Sequence, residues 1–250
     1  MKTTKLTVLM AAALAITAQA TIRETNSLRD VANAATTGSF VAFDLDNTLI
    51  EPIQTLGSDQ WFEHISKQLG IDGAIALWSK VQLKTQVRPV EQTTSSIVRE
   101  IQDRGVPVIG LTARPLTVAE ATLQQLASVG IDLSRTTPIF DDLAFPGHLE
   151  NAQYTQGIIF AGKNQKGDMI VRFLDRTGLH PSVIVFADDK PKHTASVDSA
   201  LTAKGINNIE FRYGAADERV KAFDAEIAAV QLHYFDGILD DEAAATLSNR

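Results

Sequence analysis

The feature that most constrains this chain is a series of short, unbroken apolar runs, each giving way to polar residues. FVAFDLD (40–46), VPVIGLT (106–112), GIIFA (157–161) and SVIVFA (182–187) are too brief for helices and show no polar face. They therefore read as strands covered on both sides. INNIEFRY (206–213) ends in alternation at Ile209, Phe211 and Tyr213, as an edge strand would. Amphipathic stretches separate the runs. Ser27-Leu28-Arg29-Asp30 resembles a capping box opening a helix to about Ala35. Ile97, Val98 and Ile101 share a helical face, as do Ala119, Leu123 and Leu126, with Pro115 before them and Gly130 after. Ile170, Phe173 and Leu174 mark a helix closed by Gly178; Val197, Ala200 and Leu201 mark one closed by Gly205; Val220, Phe223, Ile227 and Val230 mark the last. Such alternation predicts a doubly wound α/β domain, a parallel sheet with helices on both faces, whose ligands sit at the carboxyl ends of the strands.

Two segments exceed what the alternation needs. Residues 51–90 carry two further helix patterns, Trp61/Phe62/Ile65/Leu69 and Ile75/Trp78/Val81, and are expected to form a small helical cap over the strand ends. Residues 131–156 have no clear period and contain Pro138, Pro146 and Gly147, which predicts a loop with room for a hairpin. A chain of 250 residues suffices for one sizeable domain with such an insertion.

The first twenty residues are set apart from the fold. Lys2 and Lys5 precede an almost uncharged stretch (residues 6–18), and Ala18-Gln19-Ala20 fits a small-x-small cleavage rule, the pattern of a secretory signal peptide cleaved near Ala20. The expected location is secreted or periplasmic. The apolar part is short for a spanning helix, so no stable membrane association is expected after cleavage. Without Lys2 and Lys5, 21 basic residues face 30 acidic ones, a net charge of −9 that disfavours nucleic acid and anionic membranes as partners. The chain has no cysteine, which excludes disulfides, thiolate metal sites and cysteine nucleophiles.

The chemistry-bearing residues fall at strand ends. Asp44 and Asp46, one residue apart in FDLDNTLI, emerge where a buried strand stops. A carboxylate nucleophile suits phosphoryl transfer because the acyl phosphate it forms is reactive enough for water to hydrolyse. The second carboxylate can protonate a leaving oxygen and then activate water, help worth roughly 10²–10⁴ in rate. Thr112, in IGLTAR, offers a hydroxyl and a backbone N–H to a phosphoryl oxygen just ahead of a helix N-terminus. Arg114 follows it, placed either to reach substrate or to form a surface salt bridge.

These motifs, with GKNQKG (162–167) before a helix and VFADDK (185–190) at a strand end, resemble in order the four motifs of the haloacid dehalogenase-like superfamily. The resemblance runs over essentially the mature chain, residues 21–250, and implies a Rossmann-like fold with a small cap. LGSDQWF (56–62), VEQTT (90–94) and GIIFAGKNQKG are similar to an uncharacterised branch of secreted bacterial proteins within it. The resemblance implies that Asp44 is the nucleophile and Asp46 the acid–base. It implies that a lysine neutralises the nucleophile and the phosphoryl charge: Lys166, directly before the helix, matches the usual placement, and Lys163 is the alternative. It further implies a Mg2+ site made by the Asp44 side chain, the Asp46 carbonyl and Asp189, with Asp188 direct or through water. Many relatives carry Asp or Asn four residues beyond the metal-binding aspartate; here that position is His193, a departure that bears on support of the metal. The expected activity is Mg2+-dependent hydrolysis of phosphate monoesters, on a small phosphorylated substrate or a phosphoprotein. The alternatives are a non-catalytic secreted binding protein and a dehalogenase-type hydrolase, the latter having no need of an acid at Asp46. Asp141-Asp142 precedes no strand–helix unit and reads as loop polarity, while His64, His148, His180 and His233 show no metal-ligand spacing. Trp61 and Trp78 divide between core and substrate platform.

Overall fold

The structure, a computed structural model, describes residues 22–248, so the signal peptide expected over residues 1–20 lies outside the described residues. Along the chain run β1 (Arg23–Thr25), α1 (Leu28–Ala34), β2 (Ser39–Phe43), β3 (Ile50–Pro52), α2 (Asp59–Gln82), β4 (Val87–Pro89), α3 (Thr94–Asp103), β5 (Val108–Thr112), α4 (Ala119–Ser128), β6 (Leu143–Pro146), β7 (Asn151–Thr155), β8 (Ile158–Phe160), α5 (Lys166–Thr177), β9 (Val183–Asp188), α6 (Pro191–Ala203), β10 (Asn208–Tyr213), α7 (Asp217–Lys221), α8 (Ala225–His233) and α9 (Asp241–Ser248). Eight strands make one sheet in the order β1–β10–β9–β2–β5–β8–β7–β6. From β1 to β8 every pairing is parallel, and β8–β7 and β7–β6 are antiparallel. The protein is thus α/β with a mostly parallel central sheet.

The apolar runs lack a polar face because both faces are covered. In β2, Val41 and Phe43 pack with Leu28 and Val31 of α1 and with Ile97, Val98 and Ile101 of α3. Phe40 and Ala42, pointing the other way, pack with Ile170 and Phe173 of α5 and with Val197 and Leu201 of α6. Strand side chains alternate between faces, so a continuous run supplies two cores at once.

Several elements differ from their sequence pattern. β10 is internal: β1 pairs outside it, with Arg23 opposite Phe211 and Tyr213 opposite Thr25. Its alternation reflects Ile209, Phe211 and Tyr213 facing one core, not an edge. The two cap helix patterns belong to one long element, α2, broken at Gly70, whose φ of 70° and ψ of 169° are not helical. The last pattern divides into α7 and α8, because Asp224 adopts extended angles and caps a new helix by accepting from the N–H groups of Glu226 and Ile227. The segment 131–156 does hold a hairpin, and its strands β6 and β7 extend the main sheet.

The insertion places α2 over the sheet end, on a base made by the antiparallel pair β3–β4. Leu56, Trp61, Ile65, Trp78 and Val81 form a separate apolar cluster that includes Ala228 of α8. Gln231 Oε1 accepts from Leu56 N–H at 2.8 Å, and Asp241 accepts from the N–H and hydroxyl of Thr55 at 2.8 and 3.0 Å. The C-terminal helices therefore buttress the cap.

Candidate active site

Strand register brings the acidic residues together. Phe43 lies opposite Ala187, and Asp44 N–H donates to Ala187 O at 2.9 Å, so Asp44 and Asp188 leave adjacent parallel strands in the same row. Lys166, the first residue of α5, reaches between them: Nζ lies 2.5 Å from Asp44 Oδ1 and 2.6 Å from Asp188 Oδ2. Of the two lysines the sequence offers, Lys166 enters this cluster and is 2 % exposed. Lys163 instead pairs with Asp72 of the cap at 2.5 Å. Asp188 also accepts from Lys190 N–H at 2.8 Å, and His193 Nδ1 lies 3.1 Å from each of its oxygens.

The electrostatics follow from burial and partners. Burial, then the charge of Asp188, pushes the Asp44 carboxyl up to about 7 against the pull of Lys166. Burial also works against the charged form of Asp188, yet Lys166 and His193 together hold its carboxyl below the usual range. Lys166 loses solvation but gains two carboxylates, and its ammonium is held above its ordinary value. Asp189 is raised by burial and by the charges of Asp44 and Asp188. Its side chain accepts from Asn47 Nδ2 at 3.3 Å, and no ion pair reaches it among the described residues.

Asp46 is held from the other side. Arg114 Nε and Nη2 each donate to one of its carboxylate oxygens at 2.8 Å, a bidentate pair that fixes its orientation. Arg114 Nη1 donates to Thr122 Oγ1 at 3.0 Å and to Gln125 Oε1 at 2.6 Å. The salt bridge of this arginine is thus buried, with Arg114 only 3 % exposed. Thr112, at the end of β5, is buried, and its hydroxyl accepts from Arg114 N–H at 3.1 Å. A cavity of about 420 Å3 opens beside Asp46, between Phe62, Ile75 and Trp78 of the cap and Arg114, Pro115 and Lys163 of the core.

Three contributors were not read from the sequence in these roles. Asn47 takes a positive φ of 58° and turns the loop so that its amide meets Asp189; asparagine directly after the acidic pair is the available signal, since it tolerates left-handed backbone. Lys190 pairs with Asp59 at 2.5 Å and Glu63 at 2.6 Å at the start of α2, a contact across the fold that no local pattern announces. His193 stands out in the sequence only as a departure from a pattern; in the structure it is an imidazole on Asp188, and Asp44, Asp188 and His193 each present a ligand atom within 4.8 Å of the others.

The fold and site together define an α/β protein with a carboxylate–lysine centre at the strand ends beneath a helical cap. The chain belongs to a family of proteins of unknown function (DUF2608), whose model matches residues 22–245. It is similar to a Chlamydia trachomatis protein named "Putative outer membrane protein", 24% identical over 218 residues covering 84% of this chain and 82% of the relative. A Chlamydia pneumoniae protein of like name is 27% identical over 217 residues, 83% of this chain and 81% of its own. An uncharacterised protein of Rickettsia prowazekii is 24% identical over 233 residues, 85% and 84% of the two chains. Among the described residues no helix is long and apolar enough to cross a membrane.

Proposed function

We propose that this protein is a phosphohydrolase of the haloacid dehalogenase-like kind, acting on phosphate monoesters in the cell envelope or outside the cell. The observation that carries the reading is Lys166 held between Asp44 and Asp188 while Arg114 aims Asp46 at a cavity. In this reading an Asp44 oxygen attacks phosphorus, the ester P–O bond breaks, and the leaving oxygen takes a proton from Asp46. Water then attacks the aspartyl phosphate, giving up a proton to Asp46 as the P–O bond to Asp44 breaks and inorganic phosphate leaves. Lys166 keeps positive charge beside the nucleophile throughout, and Thr112 offers its hydroxyl to a phosphoryl oxygen.

A divalent cation fits the residues present. Four carboxylates, of Asp44, Asp46, Asp188 and Asp189, meet one lysine and one arginine in ion pairs, and Asp189 takes part in no ion pair among the described residues. Asp44 and Asp188 or Asp189 would hold Mg2+ through hard oxygens, with the Asp46 carbonyl completing the protein's share. When bound, Mg2+ offsets the repulsion between the Asp44 carboxylate and the anionic phosphoryl group. Location outside the cytoplasm is supported by the signal-like N-terminus and by the names of the chlamydial relatives.

The test is hydrolysis of an aryl phosphate by the protein lacking residues 1–20, with Mg2+ and with chelator. Cation-dependent turnover that Asp44→Asn abolishes is the expected result. Turnover that survives Asp44→Asn unchanged contradicts the mechanism.

A further inference from the structure

We infer that the ester group this site accepts is uncharged and apolar, seated in the cavity between the cap and Arg114. The inference rests on the phosphohydrolase reading and adds the class of substrate. Asp46, the residue that serves the leaving oxygen, lies on the wall of this cavity, whereas Asp44, Lys166 and Asp188 do not line it. The phosphoryl group and the rest of the ester are thereby assigned to opposite sides of Asp46.

The far side is built for carbon. Trp78, Phe62 and Ile75 form the cap wall and Pro115 the core wall, with Ile71 and Leu149 at the rim. Trp78 is fixed rather than adaptable: its indole Nε1 donates to Gly57 O at 3.0 Å, Phe62 meets its ring edge-on, and the Arg114 guanidinium lies 5.4 Å from the ring centroid. Ile71 is 51 % exposed and Leu149 70 %. Both line the cavity, Ile71 from the cap and Leu149 from the core, and neither belongs to an apolar core cluster.

The charged groups of the cavity are already taken. Arg114 is committed to Asp46, Lys163 to Asp72, and Asp59 to Lys190. No unpaired cation remains among the lining residues for a second phosphate or a carboxylate. An apolar pocket of about 420 Å3 with a few oriented polar groups matches a compact small-molecule site. Nucleoside diphosphates, bisphosphates and phosphorylated carboxylic acids are disfavoured, since a second anionic group would have to displace Asp72 from Lys163 or Asp46 from Arg114.

The test compares benzyl phosphate, glycerol 1-phosphate and phosphoglycolate, whose leaving groups are all alkoxides, with the protein lacking residues 1–20. Burial of one ring predicts a kcat/KM for benzyl phosphate at least about tenfold above glycerol 1-phosphate, with phosphoglycolate lowest. In the Ile71→Asp/Leu149→Asp variant, altered only at exposed rim positions, the benzyl-to-glycerol ratio falls toward one. Equal turnover of benzyl and glycerol esters, or a ratio that survives in the rim variant, overturns the inference and leaves the phosphohydrolase reading standing. Should none of the esters be hydrolysed, the phosphohydrolase reading fails, and binding decides the cavity separately. Benzylphosphonate must then perturb Trp78 fluorescence in the Trp61→Phe protein at concentrations where methylphosphonate does not; equal effects overturn the inference.

Discussion

At the scale of single residues, Lys166 is where charge balance is most exposed to test. It is buried with its ammonium shared by two carboxylates. Removing one member of a buried ion pair costs about 3–5 kcal/mol, because the partner charges stay behind without compensation. Lys166→Met is therefore expected to destabilise the protein by that order, measured by denaturant titration in chelator. The loss should grow as pH rises through about 7, since Asp44 escapes the penalty only while protonated. Glu210 makes the opposite case. It is fully buried on β10, neither carboxylate oxygen has a hydrogen-bond partner, and burial, then the charge of Asp198, pushes its carboxyl from 4.5 to about 8. Below 4.5 the group is protonated folded or unfolded and carries no ionisation penalty. As pH rises from 4.5 to 8 the unfolded chain releases its proton more readily, so stability falls, and the penalty is complete above 8. Glu210→Gln should match wild type in Tm near the acid end of that window and exceed it by several degrees above the window. A constant difference across pH would contradict this account of Glu210.

At the scale of elements, the cap turns on Gly70. Its φ of 70° and ψ of 169° belong to a region open essentially to glycine, and nothing lies within 4 Å of where a Cβ would stand. Strain alone, without a clash, sets the effect of Gly70→Ala, so a loss of about 1–3 kcal/mol is expected in chemical unfolding. Gly70 also explains why the sequence shows two cap helices: the apolar phase of Trp61 and Ile65 does not continue into Ala74 and Trp78 across a non-helical residue. The central strands are legible because a parallel sheet covered on both faces favours apolar side chains at nearly every position. β1 is not: Arg-Glu-Thr has no apolar pattern, and it is a strand only because β10 offers a free edge and Thr25 O accepts from Gly214 N–H at 2.8 Å. That pairing is what turned the alternation of β10 from an edge signal into an internal strand. Asp44, Thr112 and Asp188 could be placed at strand ends from local pattern, and Lys166 at a helix start. The grip of Arg114 on Asp46 could not, because it spans 68 residues and depends on how the loop after β5 turns.

At the scale of the molecule, the cap is tied to the core on two sides of the cavity, through Lys190 with Asp59 and Glu63 and through Lys163 with Asp72. Its rear is braced by α8, which packs on α2 and holds Leu56, and by α9, whose Asp241 holds Thr55. The sheet end thus presents a row of carboxylates to which α5 adds Lys166, and the insertion covers them. The central claim is that Asp44 carries the phosphoryl group between substrate and water. Its most direct measurement is an acid quench during steady-state turnover of a phosphate ester, followed by peptide mass spectrometry. The account predicts that the peptide containing Asp44 is heavier by one phosphoryl group and that the modification maps to Asp44. Continued turnover with that peptide unmodified, or with the phosphoryl group on another residue, would contradict it.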